Sequence, residues 1–304
     1  MYSELVTEFH GLQVVDFDQA DQWQGPHVAY RLREEYDDEV SLHDRLETLL
    51  AQAGADRLTA LIIGSWSGVG DGDATEAIID QLVEVAPRLP GLRALFLGEM
   101  TYEECELSWI TQSNVSPLLE VYPSLQTLRI RGGSGLAFSS VRNESLRELA
   151  IETGGLRREV VQGLFLCELP ALEHLELLFG EENYGFNGSV EDLQPVLSGQ
   201  LYPNLQFLGL MNSPIANEIA AAIVNSPIVD RIEELDLTMG NMDDVGVQSL
   251  HGLAEKRNLK RVNISHHYAS ETAVQKLRAA LSCELMADNA QEADDEWRSV
   301  LHAE

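Results

Sequence analysis

The pattern Leu-x-x-Leu-x-Leu, with Ile or Val allowed at the fixed positions, occurs eight times in this chain, beginning at Leu58, Leu92, Leu125, Leu146, Leu172, Leu205, Ile232 and Leu259. Successive copies lie 34, 33, 21, 26, 33, 27 and 27 residues apart, a mean of about 29, near the top of the leucine-rich-repeat range. One such unit cannot bury its apolar face alone, so the copies have to stack on one another. Pro90, Pro123, Pro170 and Pro203 each stand two residues before a first leucine. A proline there ends the preceding helix and releases the chain into a strand.

The seventh copy, "IEELDLTMGNMDDVGVQSLHGLAE", reads as a strand over 234–238, a Gly-Asn turn, and a helix capped by Asp243 or Asp244. Helices are expected similarly over 74–86, 156–167, 190–199, 215–225 and 270–281. The third copy leaves no room for a full helix before the fourth begins. Strands stack ~4.8 Å apart and helices ~8–10 Å apart, so the stack should curve with its strands inside. The predicted fold is therefore α/β: a right-handed leucine-rich-repeat solenoid, or horseshoe, of about eight strand–helix repeats with a parallel concave sheet. Residues 1–57 read as an N-terminal cap, with strand-like "LQVVDFD" and "HVAYRLREEY" and an amphipathic helix opened by Ser41. The solenoid spans 58–285 and ends with "SCELMA" as an edge strand. Residues 286–304 are expected to be a loose acidic tail, because six acidic residues face one arginine from Asp288 onward.

Net charge is −30, from 50 acidic and 20 basic residues. Such a surface repels phosphate backbones and anionic lipid, which disfavours nucleic-acid and membrane binding and favours a basic partner. The opening "MYSELVTEFHGL" lacks the basic and apolar regions of a signal peptide. Cys105, Cys167 and Cys283 are far apart with no CxxC, which excludes a disulfide framework and fits a reducing cytoplasm.

The repeats are similar to those of ribonuclease-inhibitor-type leucine-rich-repeat proteins. Over nearly its whole length the chain resembles an uncharacterised family of bacterial leucine-rich-repeat proteins, through "EFHGLQVVDFD", "LRALFLGEMTYEECELSWITQSNVSPLL", "RIRGGSGL", "ALEHLELLFG" and "HHYASE". The resemblance implies a cytoplasmic solenoid and a role beside peptide- or metabolite-modifying enzymes. It implies no catalytic residue.

Within each repeat the leucines point into the core, and the residues between and just after them point to the concave face. The central row reads Ile62, Phe96, Arg129, Ala150, Glu176, Gly209, Asp236 and Asn263. The row before it carries Ala60, Ala94, Thr127, Glu148, His174, Phe207, Glu234 and Arg261, and the row after it includes Gly64, Gly98, Arg131, Glu152 and Thr238. The expected binding surface is Phe96 and Phe207 as apolar anchors, Arg129 and Arg131 as orienting cations, His174 beside them, and carboxylates at Glu148, Glu152, Glu176, Glu234 and Asp236. Two readings of the arginines stay open: they contact a ligand, or they neutralise Glu148 and Glu152 on the next strand.

Glycine-rich segments at 64–73, 132–135, 153–155 and 179–185 follow strands and could form an anion nest at one rim. They also suit tight turns, and none is a GxxxxGK[ST] loop. His266 and His267 would face opposite sides of a strand, with His267 exposed, so they make a poor metal pair. Glu103, Glu104 and Glu106 around Cys105 should raise its thiol pKa, and Cys167 belongs in the core. Trp66 and Trp109 suit partly buried packing. No catalytic constellation, cofactor motif or metal motif emerges. The function expected is non-enzymatic protein or peptide binding; the alternative is an accessory component binding a small anion at the glycine-rich rim.

Overall fold

Each of the eight copies of the leucine pattern carries a strand in the computed structural model, which describes residues 2–17, 23–35, 38–293 and 298–302. In every copy the three Leu, Ile or Val positions are buried, from Leu58, Leu61 and Ile63 to Leu259, Val262 and Ile264. The chain is mixed α/β, and the twelve strands among its described residues follow sequence order. It divides into two compact units, one holding Met1–Ile151 and Leu166–Pro170, the other Glu152–Phe165 and Ala171–Ala303.

The first unit runs β1 (Glu8–Phe9), β2 (Leu12–Asp16), β3 (Val28–Leu32), α1 (Leu42–Leu50), β4 (Ala60–Ile63), α2 (Gly72–Val85), β5 (Ala94–Leu97), α3 (Ser116–Val121), β6 (Thr127–Arg131) and β7 (Glu148–Glu152), the last of which ends in the second unit. β1 pairs antiparallel with β2, and β2 through β6 pair in parallel. Tyr30, Leu61, Leu95 and Leu128 align strand by strand, so the cap continues the repeat register. A one-residue slip would turn every core side chain outward, and this fixes the register.

The second unit runs α4 (Arg158–Leu164), β8 (His174–Leu178), α5 (Gln194–Leu197), β9 (Phe207–Met211), α6 (Ala216–Ile223), β10 (Glu234–Asp236), α7 (Asp244–Ser249), β11 (Arg261–Asn263), α8 (Glu271–Ala280) and β12 (Glu284–Met286). Leu175, Leu208, Leu235, Val262 and Leu285 align in parallel register. "SCELMA" does supply a last strand, in register with β11.

Helices begin where side-chain caps satisfy their first amides. Ser41, Asp71, Asp243 and Ser270 accept from Asp44, Asp73, Val245 and Ala273 N–H respectively. The expected helix over 190–199 forms as a 3₁₀ turn, Val190–Leu193, followed by α5, because Pro195 stands at the second position of α5. Between β6 and β7, residues 132–147 contain no helix. Buried Asn143 takes its place there: its amide donates to Leu119 O at 2.9 Å and Tyr122 O at 3.2 Å. The same side chain accepts from Ser145 and Leu146 N–H at 2.9 and 3.0 Å.

The acidic tail, expected to be loose, has an ordered stretch at 298–302. Leu301 N–H donates to Met239 O, and His302 exchanges two hydrogen bonds with the side chain of Asn212. Tyr268 hydroxyl donates to Ser299 O at 3.0 Å, and Arg298 pairs with Asp243 at 2.5 Å. Val300 is buried, so an apolar side chain and backbone pairing hold a segment that its composition marked as solvated. No helix among the described residues is long and apolar enough to cross a membrane.

Candidate functional site

Alternation along each strand sends the residues between the core leucines to the opposite sheet face. In the first unit that face is small and apolar: Ala29, Ala60, Ala94, Ile62 and Phe96. Small side chains leave room for a covering layer, and the first residues of the chain supply it. Phe9 packs on Phe96 with ring centroids 5.8 Å apart, flanked by Val6, Leu12 and Val14. Polar contacts fix this strap along its length. Val6 N–H donates to Glu99 Oε1 at 2.5 Å, Arg31 Nη2 to Val6 O at 2.5 Å, and Tyr102 N–H to Tyr2 O at 2.8 Å. His10 Nδ1 lies 3.0 Å from Thr127 Oγ1.

Beneath the strap sits a buried ion pair. Arg31 Nε reaches Glu99 Oε2 at 2.5 Å, with side chains 6% and 0% exposed. Burial alone would lower the guanidinium pKa, but the Glu99 hydrogen bond and charge, helped by Asp16, hold it above its ordinary value.

The predicted anchor Phe96 is therefore fully buried, which removes it from any accessible surface. Arg131 is 2% exposed. Its guanidinium stacks on the Tyr2 ring at 3.6 Å and donates to Met100 O at 2.5 Å. Arg129 is half-buried, 5.3 Å from the centre of the Phe96 ring. Both arginines are engaged within the protein. Glu152 is buried, and Glu148 is half-buried beside Thr127, whose hydroxyl donates to it at 3.4 Å. Phe96 and Arg131, read as a surface, belong to a covered part of the sheet. Sequence alternation alone could not show that the chain's own start lies over it.

In the second unit the same rows are polar and half-buried. His174 stacks on Phe207 at 3.9 Å with 9° between the rings, and its Nε2 lies 2.7 Å from Glu176 Oε1. Register places Gly209 between Glu176 and Asp236. Asp236 accepts from Thr238 N–H at 2.9 Å and from Asn263 Nδ2 at 3.3 Å. Burial pushes its pKa up, and the like charge of Glu176 adds to the shift against those hydrogen bonds. Arg261 pairs with Glu234 at 3.0 Å and Glu284 at 3.1 Å. Glu234 is thus already matched, whereas Glu176 and Asp236 share one face with His174, Thr238 and Asn263 beside them. The sites gathered here are His174, Glu176, Phe207, Glu234 and Asp236.

The other candidates resolve into structural roles. Gly132 has φ +104°, and a Cβ there would lie 2.4 Å from Ile110 O; at Gly180 it would lie 1.8 Å from Gly154 O. These glycines admit neighbouring backbone. His267 is 2% exposed, contrary to the expectation of an exposed ring, because His266 takes φ +57° and bends the chain out of strand alternation. Among the described residues no cluster of three His, Cys, Asp or Glu is placed to hold a metal. Burial, then Glu106 and Glu104, push the Cys105 thiol up to about 11; Cys167 is buried. Trp66 is buried, and Trp109 is exposed.

No known family profile matches the chain, and no curated protein matches it. Among solved structures, a Bacteroides fragilis protein is 29% identical and superposes with a TM-score of 0.82, covering 90% of this chain and 77% of its own. An internalin from Listeria monocytogenes is 14% identical with a TM-score of 0.38, covering 81% of this chain and 71% of its own, too distant to inform the site. The chain thus shares its fold with the Bacteroides fragilis protein over most of its length.

Proposed function

We propose that the chain is a non-enzymatic leucine-rich-repeat scaffold, and that the open sheet face of its second unit receives a basic protein or peptide segment. The observation that carries this reading is the contrast in charge on that face: Glu176 and Asp236 flank Gly209, while His174 and Phe207 form a flat stacked pair beside them. An arginine or lysine of a partner gains both a carboxylate and an aromatic surface there. The net charge of −30 favours approach of a cation over long range. Anion binding by Arg129 and Arg131 at the glycine-rich rim is the weaker reading, since Arg131 is buried against Tyr2 and Met100.

Affinity capture from the source cell with the wild type and with the Glu176→Lys/Asp236→Lys variant tests the proposal. Partners recovered with the wild type should be lost with the charge-reversed chain and kept with Arg129→Ala. An identical partner set for both chains rejects this face as the binding surface.

A further inference from the structure

The tail segment 298–302 rests on a corner formed by two adjacent histidines after β11. His266 takes φ +57°, and its ring meets the edge of the Tyr268 ring with centroids 6.1 Å apart. The Tyr268 hydroxyl donates to Ser299 O at 3.0 Å, and the His266 ring bonds to the backbone of the same serine. Around Ser299, Arg298 pairs with Asp243, Val300 N–H donates to Glu181, Leu301 N–H to Met239 O, and His302 N–H to Asn212. Backbone bonds pin the corner to its neighbours: His266 N–H donates to Asp288 O, Tyr268 N–H to Met242 O, and Gln291 N–H to His267 O.

His267 is 2% exposed, and its Nδ1 accepts from Ala269 N–H at 3.1 Å. That nitrogen holds a lone pair, since a protonated imidazole carries hydrogens on both nitrogens and accepts nothing. A second proton would therefore set two donors against each other in a place almost closed to water. Charged groups lie on each segment packed around the pair. Asp244, at the start of α7, favours a charge on His267 but is itself engaged by the amide and hydroxyl of Ser270. Asp243 is taken by Arg298 of the tail, and Glu181 receives Val300. Asp288 follows β12 and Glu271 opens α8, both exposed. Burial outweighs these charges: it lowers the pKa of both rings, and a charge on His267 opposes one on His266.

The ring can take that proton only by leaving its place, and the corner that carries Ser299 moves with it. We propose that this corner is an acid-operated latch: a proton on His267 opens it and frees residues 298–302 from the segments that follow β8 to β11, while the repeats stay folded. Once released, the tail leaves the Asn212 side chain and the Met239 carbonyl without the partners it gave them. The open corner binds its proton with the ordinary pKa of 6.5, and the closed one resists it. Opening therefore becomes easier below that value, by about tenfold at pH 5.5 for one histidine. The latch stands whether or not the sheet face of the second unit binds a partner.

Amide exchange of the full chain between pH 7.5 and 5.5, expressed as protection relative to an unstructured peptide at each pH, tests it. Protection at Val300, Leu301 and His302 should fall about tenfold over that range, while that of Leu61 and Leu95 in the first unit holds. His267→Gln keeps an acceptor for Ala269 N–H and cannot take up the proton, so its tail should stay protected at pH 5.5. Should that variant fold poorly, Tyr268→Phe serves in its place. Without the hydroxyl on Ser299, the tail should exchange faster already at pH 7.5 and respond less to acid. Glu181→Gln should leave the response in place, which separates the histidine from the carboxylate that receives Val300. Protection at 300–302 that is unchanged in the wild type, or that falls equally in His267→Gln, overturns the latch. So does a fall shared equally by Leu61 and Leu95, since the whole chain is then opening.

Discussion

The two units place equivalent rows of residues on the same side of their strands and treat them oppositely. In the first unit the row is alanine, isoleucine and phenylalanine, and residues at the start of the chain bury it. In the second it is histidine, glutamate, phenylalanine and aspartate, and it stays half-buried. Covering an apolar row gains roughly 25 cal/mol for each Å² removed from water, whereas covering carboxylates costs desolvation unless a cation arrives with the cover. Side-chain chemistry along one row thus decides which part of a repeat sheet becomes a second core and which remains a surface.

The sharpest way to break this comparison is to truncate the aromatic residue on each side. Phe96→Ala removes a fully buried ring from beneath the strap and should cost about 3–5 kcal/mol. Phe207→Ala, on the half-buried face, should cost about 1 kcal/mol. Urea unfolding followed by circular dichroism measures both. Equal losses would mean that the strap is no core. Next in size, Arg31→Met leaves Glu99 buried without its counter-charge and should cost about 3 kcal/mol. The double change with Glu99→Gln should recover part of that loss. Arg261→Met breaks only two exposed pairs, with Glu234 and Glu284, and should change stability little.

The repeat itself was legible because the period-two burial of leucines inside each strand leaves a direct trace in spacing. Strand register followed from the same signal, whereas the N-terminal strands were read from alternation and the Ser41 cap from the amphipathic helix behind it. The straps were not legible, because they depend on long-range contacts. Phe9 meets Phe96, and His302 meets Asn212, across 90 residues in the latter pair. A faint signal existed for the first: a row of Ala29, Ala60 and Ala94 is too small to be a surface with anchors, and the chain begins with apolar Val6 and Phe9. For the site, alternation put His174, Glu176, Phe207 and Asp236 on one face, and the strand register sets them on neighbouring strands. It did not show that Phe9 and Tyr2 lie against Phe96 and Arg131. α3 escaped notice because six residues carry too little periodicity.

The second unit has its own strap, and its strength is the next test. Asn212 sits at φ +52° and holds His302 through both ends of its amide. Asn212→Ala should cost about 2 kcal/mol, combining a strained backbone with two lost hydrogen bonds. Asn212→Gly relieves the backbone and should cost about half as much. Amide exchange at residues 299–302 should quicken in both variants. Unchanged exchange would show that the tail is held by its other contacts, Leu301 to Met239, Tyr268 to Ser299, Arg298 to Asp243 and buried Val300, without Asn212.

The smallest effects are in pH dependence, where two groups of the second unit pull in opposite directions. Burial lowers the His267 pKa from 6.5, against hydrogen bonds with Ala287 and Ala269 and the charge of Asp244; burial and the charge of His267 lower His266 as well. The unfolded chain therefore takes up these protons first. Stability from the histidines is complete above pH 6.5 and falls as the pH drops toward the lowered values of the fold. Asp236 behaves in reverse. Its folded pKa is raised above 3.8, so its contribution is complete below that pH and is lost as the pH rises through the raised value. Thermal melts across pH 3.5–7.5 should show His266→Gln/His267→Gln flattening the acid limb below 6.5. Asp236→Asn should raise the melting temperature at neutral pH, since it keeps an acceptor for Thr238 and removes the repulsion with Glu176. A basic segment bound to that face would supply the missing counter-charge, so the gain from Asp236→Asn should vanish, and binding should weaken, when the partner is present. A stability gain that persists with the partner bound would place the partner elsewhere.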